Sequence, residues 1–354
     1  MKDMMVWGML LLGWFYQQGC VADIPQERMQ AIYEEIQTPY KYGVVIPQED
    51  DKSVDCPTVF RHGECWYMVY VQMEKAPQNG YTTQLAKSED LLHWEPLGTI
   101  VERGEPNTWD QANTGGGVAL ADTQWAGDGK LGTFEGRYWL TYIGGDKFGY
   151  ETIPLSIGLA STDDPTAVRP WYKQESPILT VHDADARDFE SGTLYKSFVM
   201  EDPDETLGAR FIMYYNAKPA NGNEQIGMAL SSDLRNWKRY GDAPVILNQK
   251  KSTPHRGAIS GDPQIVKMGD TWVMFYFGAF WDPGAFDTFA ASKDLVHWTK
   301  WTGPKLIQAS EPWDKTFAHK PWIVKHKGVV YHFYCAVGNQ GRVIALATSK
   351  PMQD

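Results

Sequence analysis

Apolar and polar positions alternate with a period of two along most of the chain, in short runs broken by turn residues. In "PTVFRHGECWYMVYV", from Pro57, an apolar strand, a turn at Arg61-His62-Gly63 and an aromatic-rich strand follow one another. The same order recurs in "GGVALADTQWAGDGKLGTFEGRYWLTYIGG", "GTLYKSFVMEDPDETLGARFIMYYNA", "PQIVKMGDTWVMFYFGAF", with its turn at Met268-Gly269-Asp270, and "PWIVKHKGVVYHFYCAV". Alternation bounded by such turns predicts β-hairpins. Helical spacing is confined to "IPQERMQAIYEEIQ", where Met29, Ile32, Tyr33 and Ile36 share one face. This helix is expected to pack against the side of the sheets, with Lys41 to Asp51 as a link into the first of them.

A second repeat follows each hairpin: "LAKSEDLLHW" from Leu85, "LASTDDPTAVRPW" from Leu159, "MALSSDLRNW" from Met228, "FAASKDLVHW" from Phe289 and a truncated "LATSKP" from Leu346. Each anchor is a third strand and the Trp stretch opens a fourth, so each unit is a four-stranded antiparallel meander. One meander cannot bury both of its faces, and packing such sheets radially is the propeller solution. The fold predicted is all-β, a five-bladed β-propeller over residues 42–354, preceded by the helix and linker at 21–41. In the repeat, Ser and Asp are expected to tie the turn through backbone hydrogen bonds, and Trp to wedge between blades. The Asp-box of sialidases has Gly where these copies carry Leu91, Leu234 and Leu295, so the repeats read as scaffold.

The formal charge of −11, without any basic run, excludes a nucleic-acid backbone as partner. Lys2 precedes an apolar segment, Met4 to Tyr16, too short to span a bilayer and suited to an export signal over residues 1–20. Gly19-Cys20 fits a lipoprotein signal with lipid attached at Cys20. The alternatives are an ordinary cleavable signal or an anchor that is never processed. The expectation is a bacterial periplasmic protein or outer-membrane lipoprotein, with no later membrane span. Cys56, Cys65 and Cys335 are an odd set, which excludes a complete disulfide framework and favours small buried fillers.

In a propeller, the first strands of all blades line the axis. Superposing Pro57-Thr-Val-Phe, Gly192-Thr-Leu-Tyr, Pro263-Gln-Ile-Val and Pro321-Trp-Ile-Val brings Asp55, Glu190, Asp262 and His319 to one axial mouth. The second blade has "WDQANTGGGVAL" there, with Trp109 and Asp110 just outside. Its glycines either leave room for a ligand or let the strand pack close to the axis. Convergent carboxylates suit cleavage of a glycosidic bond, one ionised to activate water, one protonated to donate, a third tuning the pair. Any single acid is as well explained by an ion pair or a capped loop. Three at equivalent positions favour chemistry. Lys196, His255 and Arg256 are weaker pocket candidates that would sit equally well on the surface. Trp109, Trp281 and Trp313 lie in connections, as sugar-facing walls or as packing between blades.

From about Tyr42 onward the chain resembles the five-bladed propeller glycosidases, families 43, 32, 68, 117 and 130 of the glycoside hydrolases, as an outlying branch. The likeness to family 43 implies a base at Asp55 in "VDCPTVF", a modulator's place at Glu190 in "FESGTLYK" and an acid's place at Asp262 in "SGDPQIV". Asp and Glu are exchanged between blades three and four, and Cys56 separates Asp55 from the proline, so acid and modulator stay open between Glu190 and Asp262. Asp188 in "ARDFES" is an alternative to Glu190. The resemblance gives His319 two uses: facing a structural calcium or sodium ion through water, as in family 43, or donating a proton, as in family 117. Lys320 would pair with a carboxylate or touch the sugar, and Asp188, Trp109, Asp110, His319, Lys320 and Arg256 form the expected substrate-binding set. No cofactor is required. The implied activity is an exo-acting, inverting hydrolysis of an α-L-arabinofuranoside, β-xyloside or galactoside. A family 130-type phosphorylase and a non-catalytic glycan-binding propeller are the rivals.

Overall fold

The computed structural model describes residues 23–50, 52–74, 79–248 and 257–352. The expected signal, Cys20, His255 and Arg256 lie outside the described residues. The chain is all-β apart from the helix Gln26–Ile36 and a three-residue 3-10 turn at Asp188–Glu190. Met29, Ile32 and Ile36 bury the helix face predicted from spacing, and Tyr33 stacks on Trp301 at 5.1 Å. No helix among the described residues is long and apolar enough to cross a membrane.

The strands form meanders in chain order. The first is Lys52–His62, Cys65–Glu74, Tyr81–Ser88 and Glu95–Val101. The second is Asn113–Val118, Tyr138–Gly145, Ser156–Thr162 and Tyr172–Lys173. One parallel bridge, Tyr81 to Asn113, joins these two into a single sheet. The third is Thr193–Glu201, Phe211–Lys218, Gln225–Ser231 and Lys238–Arg239, and the fourth Ile259–Met268, Thr271–Ala279, Ala285–Ser292 and Thr299–Lys300. The fifth has Phe317–His326, Val329–Gly338 and Gly341–Thr348, and its outer strand comes from the other end of the chain. Tyr40–Ile46, expected as part of a link, pairs antiparallel with Gly341–Thr348. Two register breaks interrupt its alternation, at Lys41/Gly43 and Val44/Ile46, and its partner lies some 300 residues away. A hairpin-based reading had nothing local to detect.

Lys41 clips this strand down, its ammonium bonded to Asp314, whose side chain is fully buried and also accepts from Tyr334 at 2.9 Å. Lys41→Met strands a buried carboxylate and is expected to cost about 3–5 kcal/mol, read as a lowered urea midpoint.

The repeat works as scaffold. Ser88 accepts from the Leu91 amide at 2.9 Å, Asp90 accepts from the Leu92 and His93 amides, and the Trp94 indole donates to the Leu91 carbonyl. Leu91, Leu234 and Leu295 all sit at positive φ, 69°, 63° and 67°. The turn residues offset that cost by satisfying the backbone around it. Trp94 meets Phe333 of the fifth meander edge-on, and Trp298 of the fourth meets Tyr214 of the third.

Side chains also bind each meander to the next near the first strands. Thr58 accepts from Val118, Thr193 from Leu155, and the Asn216 carbonyl from Asp262. Gln264 exchanges two bonds with Ile323, and Trp322 donates to Val59, linking the fifth meander to the first.

Candidate active site

Four of the five first strands carry the same defect. Their pairing slips by one bulge, between Asp55 and Thr58, Leu194 and Ser197, Gly261 and Gln264, and His319 and Trp322. A bulge re-aims side chains and strengthens local twist. In the first, fourth and fifth meanders the bulged residue precedes proline at positive φ: Cys56 at 51°, Asp262 at 51° and Lys320 at 66°. These side chains and their neighbours turn into a cavity of about 350 Å³ at the ends of the first strands. Connections between the second and third strands of the second and third meanders complete it, bringing Glu151 and Glu224.

Asp55 lies in this cavity with both carboxylate oxygens engaged. Oδ1 accepts from the Cys56 amide at 2.9 Å, and Oδ2 from Lys320 at 2.8 Å and Arg342 at 2.7 Å. Burial opposes the charged form, but Lys320 and Arg342 overcome it and hold the carboxyl well below the usual range. The same contact pushes both cations' own pKa values up against their burial. Asp55 is a fixed anion between two fixed cations.

Asp262 and Glu224 are tied through one amide. Asn216 Nδ2 donates to Asp262 Oδ1 at 2.9 Å and to Glu224 Oε1 at 3.0 Å. Asp262 Oδ2 has no hydrogen-bond partner among the described residues, and Lys196 Nζ stands 3.8 Å from it. Glu224 is raised to about 8 by its burial first, then by the Glu151 charge, with Asp262 adding and Lys218 opposing. It is therefore protonated at neutral pH, within reach of carboxylates that keep it so. No ion pair or side-chain hydrogen bond engages the Glu151 carboxyl among the described residues. Opposite the charged groups stand Ile259, Phe277, Ala279, Phe280, Ala285 and Phe317.

A protonated carboxylic acid facing other carboxyl groups in a sugar-sized cavity is the equipment of glycosidic bond cleavage. No protein-family model matches the chain, nor does any curated protein. A solved structure described as a glycoside hydrolase is 48% identical, covering 93% of this chain and 96% of its own, with a TM-score of 0.88. The chain belongs to the glycoside hydrolases. A structure described as a complex of BT0996 with RGII matches with the same identity, coverage and TM-score. A thermostable family-43 glycoside hydrolase, 16% identical with a TM-score of 0.62 over 89% of this chain and 97% of its own, shares the fold.

Within this glycosidase, the expected site residues separate into two groups. Asp55, Asp262, His319, Lys320 and Lys196 line the cavity. Lys320 pairs with a carboxylate, one of the two uses foreseen. Glu190, Asp188, Trp109 and Asp110 do not line it. Glu190 is completely buried in a cage, accepting from the Arg187 amide at 2.8 Å, from Tyr215 at 2.7 Å and from the guanidinium of Arg239. The bulges explain the misplacement. Lys196-Ser197-Phe198-Val199, not Gly192-Thr-Leu-Tyr, corresponds to Pro57-Thr-Val-Phe, a slip of four residues. No proline marks the third bulge. Asp188 is exposed on the turn before Glu190. Trp109 stacks on Tyr142 at 5.5 Å, and Asp110 holds Tyr142 and Lys173 at 3.0 and 2.7 Å. Trp281 and Trp313 donate to Ile259 and Tyr334, as packing.

A Cβ on Gly115 would meet Val71 at 3.2 Å, and one on Gly117 would meet Thr58 at 3.1 Å. The second meander's glycines thus permit close packing, while Gly115 and Gly116 also line the cavity. Cys56, Cys65 and Cys335 are free thiols; Cys335 is buried, whereas Cys56 and Cys65 are partly exposed. His319 faces the Cys335 carbonyl through Nδ1 at 3.3 Å, and burial followed by Lys320 and Arg342 lowers it to about 3. It is neutral, with two cations beside it, and no three acidic, His or Cys side chains among the described residues form a ligand set. The residues do not fit a metal ion held directly by His319.

Proposed function

We propose that the five meanders are blades of a closed five-bladed propeller, and that its axial cavity removes one terminal sugar at a time by hydrolysis with inversion. The strand Tyr40–Ile46 and the hydrogen bonds running from each meander to the next, and from fifth back to first, support closure. A cavity of about 350 Å³ lies at the small end of ligand sites and suits a single ring better than an extended chain.

Glu224 is the proton donor, and its carboxyl held at about 8 is the observation that carries the reading. Glu151, free of cation partners, takes the base's role and activates water. Asp262 keeps Glu224 protonated, the modulator's part. Asp55 orients Lys320 and Arg342, which are left to donate to sugar hydroxyls. An acid donor must be protonated, so kcat/KM is expected to fall as pH rises through about 8, and Glu224→Asp to move that limb.

The substrate we propose is an oligosaccharide derived from RGII, by likeness to the 48% identical BT0996 complex. The test is incubation with RGII oligosaccharides in phosphate-free buffer, following products by NMR. One released monosaccharide, appearing first as the opposite anomer, is expected. Retention of configuration would reassign Glu151 as a nucleophile. Binding without cleavage would favour a glycan-binding propeller, and a phosphate requirement a phosphorylase. The three cations in the cavity are already matched to Asp55 and Asp262, which speaks against phosphate.

A further inference from the structure

The cavity is divided by chemistry. Its charged half comes from the first, third and fifth meanders. The other half is a continuous apolar wall of Ile259, Phe277, Ala279, Phe280, Ala285 and Phe317, packed as one cluster. Phe280 and Phe317 meet edge-on at 6.2 Å, and no side chain of the wall offers a hydrogen-bonding atom. Phe280 sits at φ 63°, an outlying conformation for a bulky residue. Backbone strain of this kind clusters at ligand clamps. The hairpin that holds it closes through the Phe280 amide and the Gly284 carbonyl at 3.3 Å.

A sugar hydroxyl pressed against this wall would lose its hydrogen bonds to water and find no replacement. A methyl group there would instead gain by leaving water. Resting on the glycosidase reading above, we infer that the sugar bound in this cavity presents a methyl group to the Phe280 wall, carried either on carbon, as in a 6-deoxy sugar, or on oxygen, as in a methyl ether. The charged half meets the hydroxyls, and the wall selects against a hydroxyl at that one position.

Matched monosaccharides test this by ligand-observed NMR titration of the wild-type protein. L-Fucose against L-galactose and L-rhamnose against L-mannose read a methyl on carbon. 3-O-Methyl-D-glucose against D-glucose reads a methyl on oxygen. The methyl-bearing member of at least one pair is expected to bind about tenfold tighter or better, and which pair discriminates identifies the source. Phe280→Gly, which removes the ring and relieves the positive φ, is expected to reduce that preference to below threefold. Equal binding within every pair, binding by none, or an unchanged preference in Phe280→Gly overturns the inference. Hydrolysis of RGII oligosaccharides by wild type and by Glu224→Gln is measured beside it. Equal pairs with an inactive Glu224→Gln would remove only the wall's role, whereas a methyl preference with a fully active Glu224→Gln would remove only the catalytic assignment.

Discussion

Glu224→Gln is expected to lower kcat on a natural oligosaccharide by roughly 10²- to 10⁴-fold, the usual worth of a positioned general acid. The amide keeps the size of the side chain and its bond with Asn216, but has no proton to give. A glycoside with a dinitrophenyl leaving group departs without protonation, so on that substrate the loss is expected to be small. This split separates an acid catalyst from a residue that merely shapes the cavity. Equal losses on both substrates would argue for the structural role. Glu151→Gln should depress both substrates together, because the attacking water is needed whatever departs.

Asp55→Asn is expected to act first on stability. It removes the one carboxylate shared by Lys320 and Arg342, leaving two largely buried cations without a counter-charge. Breaking a buried pair from one side costs about 3–5 kcal/mol, and a lowered urea midpoint measures it. The sign with pH follows from the depressed pKa. The folded carboxyl gives up its proton more readily than the unfolded one, so its stabilisation is complete above the ordinary carboxyl value near 4 and fades as pH falls through the lower folded value. Wild type should therefore lose part of its urea midpoint in acid, and Asp55→Asn should lack that part of the loss. A base catalyst with free lone pairs would show neither effect strongly, so this experiment also weighs the anchoring role against the base role that family resemblance implies.

The repeating units were legible in the sequence because alternation and the Ser-x-Asp-Leu-x-x-Trp turn are local signals that fold into local bonds. The outer strand Tyr40–Ile46 was not, since its pairing partner is the last strand of the chain and its bulges erase the alternation. The convergence of Asp55, Asp262, His319 and Lys320 was also legible. Their prolines, Pro57, Pro263 and Pro321, sit at the bulges and keep the register of the superposition. Glu190 went astray where that punctuation is missing.

Glu151 and Glu224 escaped for a different reason. Each lies in a polar connection between second and third strands, "GYETIP" and "NGNEQI", where a glutamate reads as an ordinary solvated turn residue. The same pseudo-symmetry that gathers the first strands also gathers these connections on one rim. Extending the superposition to them is the step that would have placed both acids at the cavity.

The most direct test is the titration of Glu224 itself, followed by ¹³C NMR of carboxyl-labelled protein and assigned by the signal missing from Glu224→Gln. The account predicts a midpoint near 8, with the acid carried down toward ordinary values when Glu151 is replaced by Gln. A midpoint near 4.5, the ordinary value for a glutamate, would contradict it.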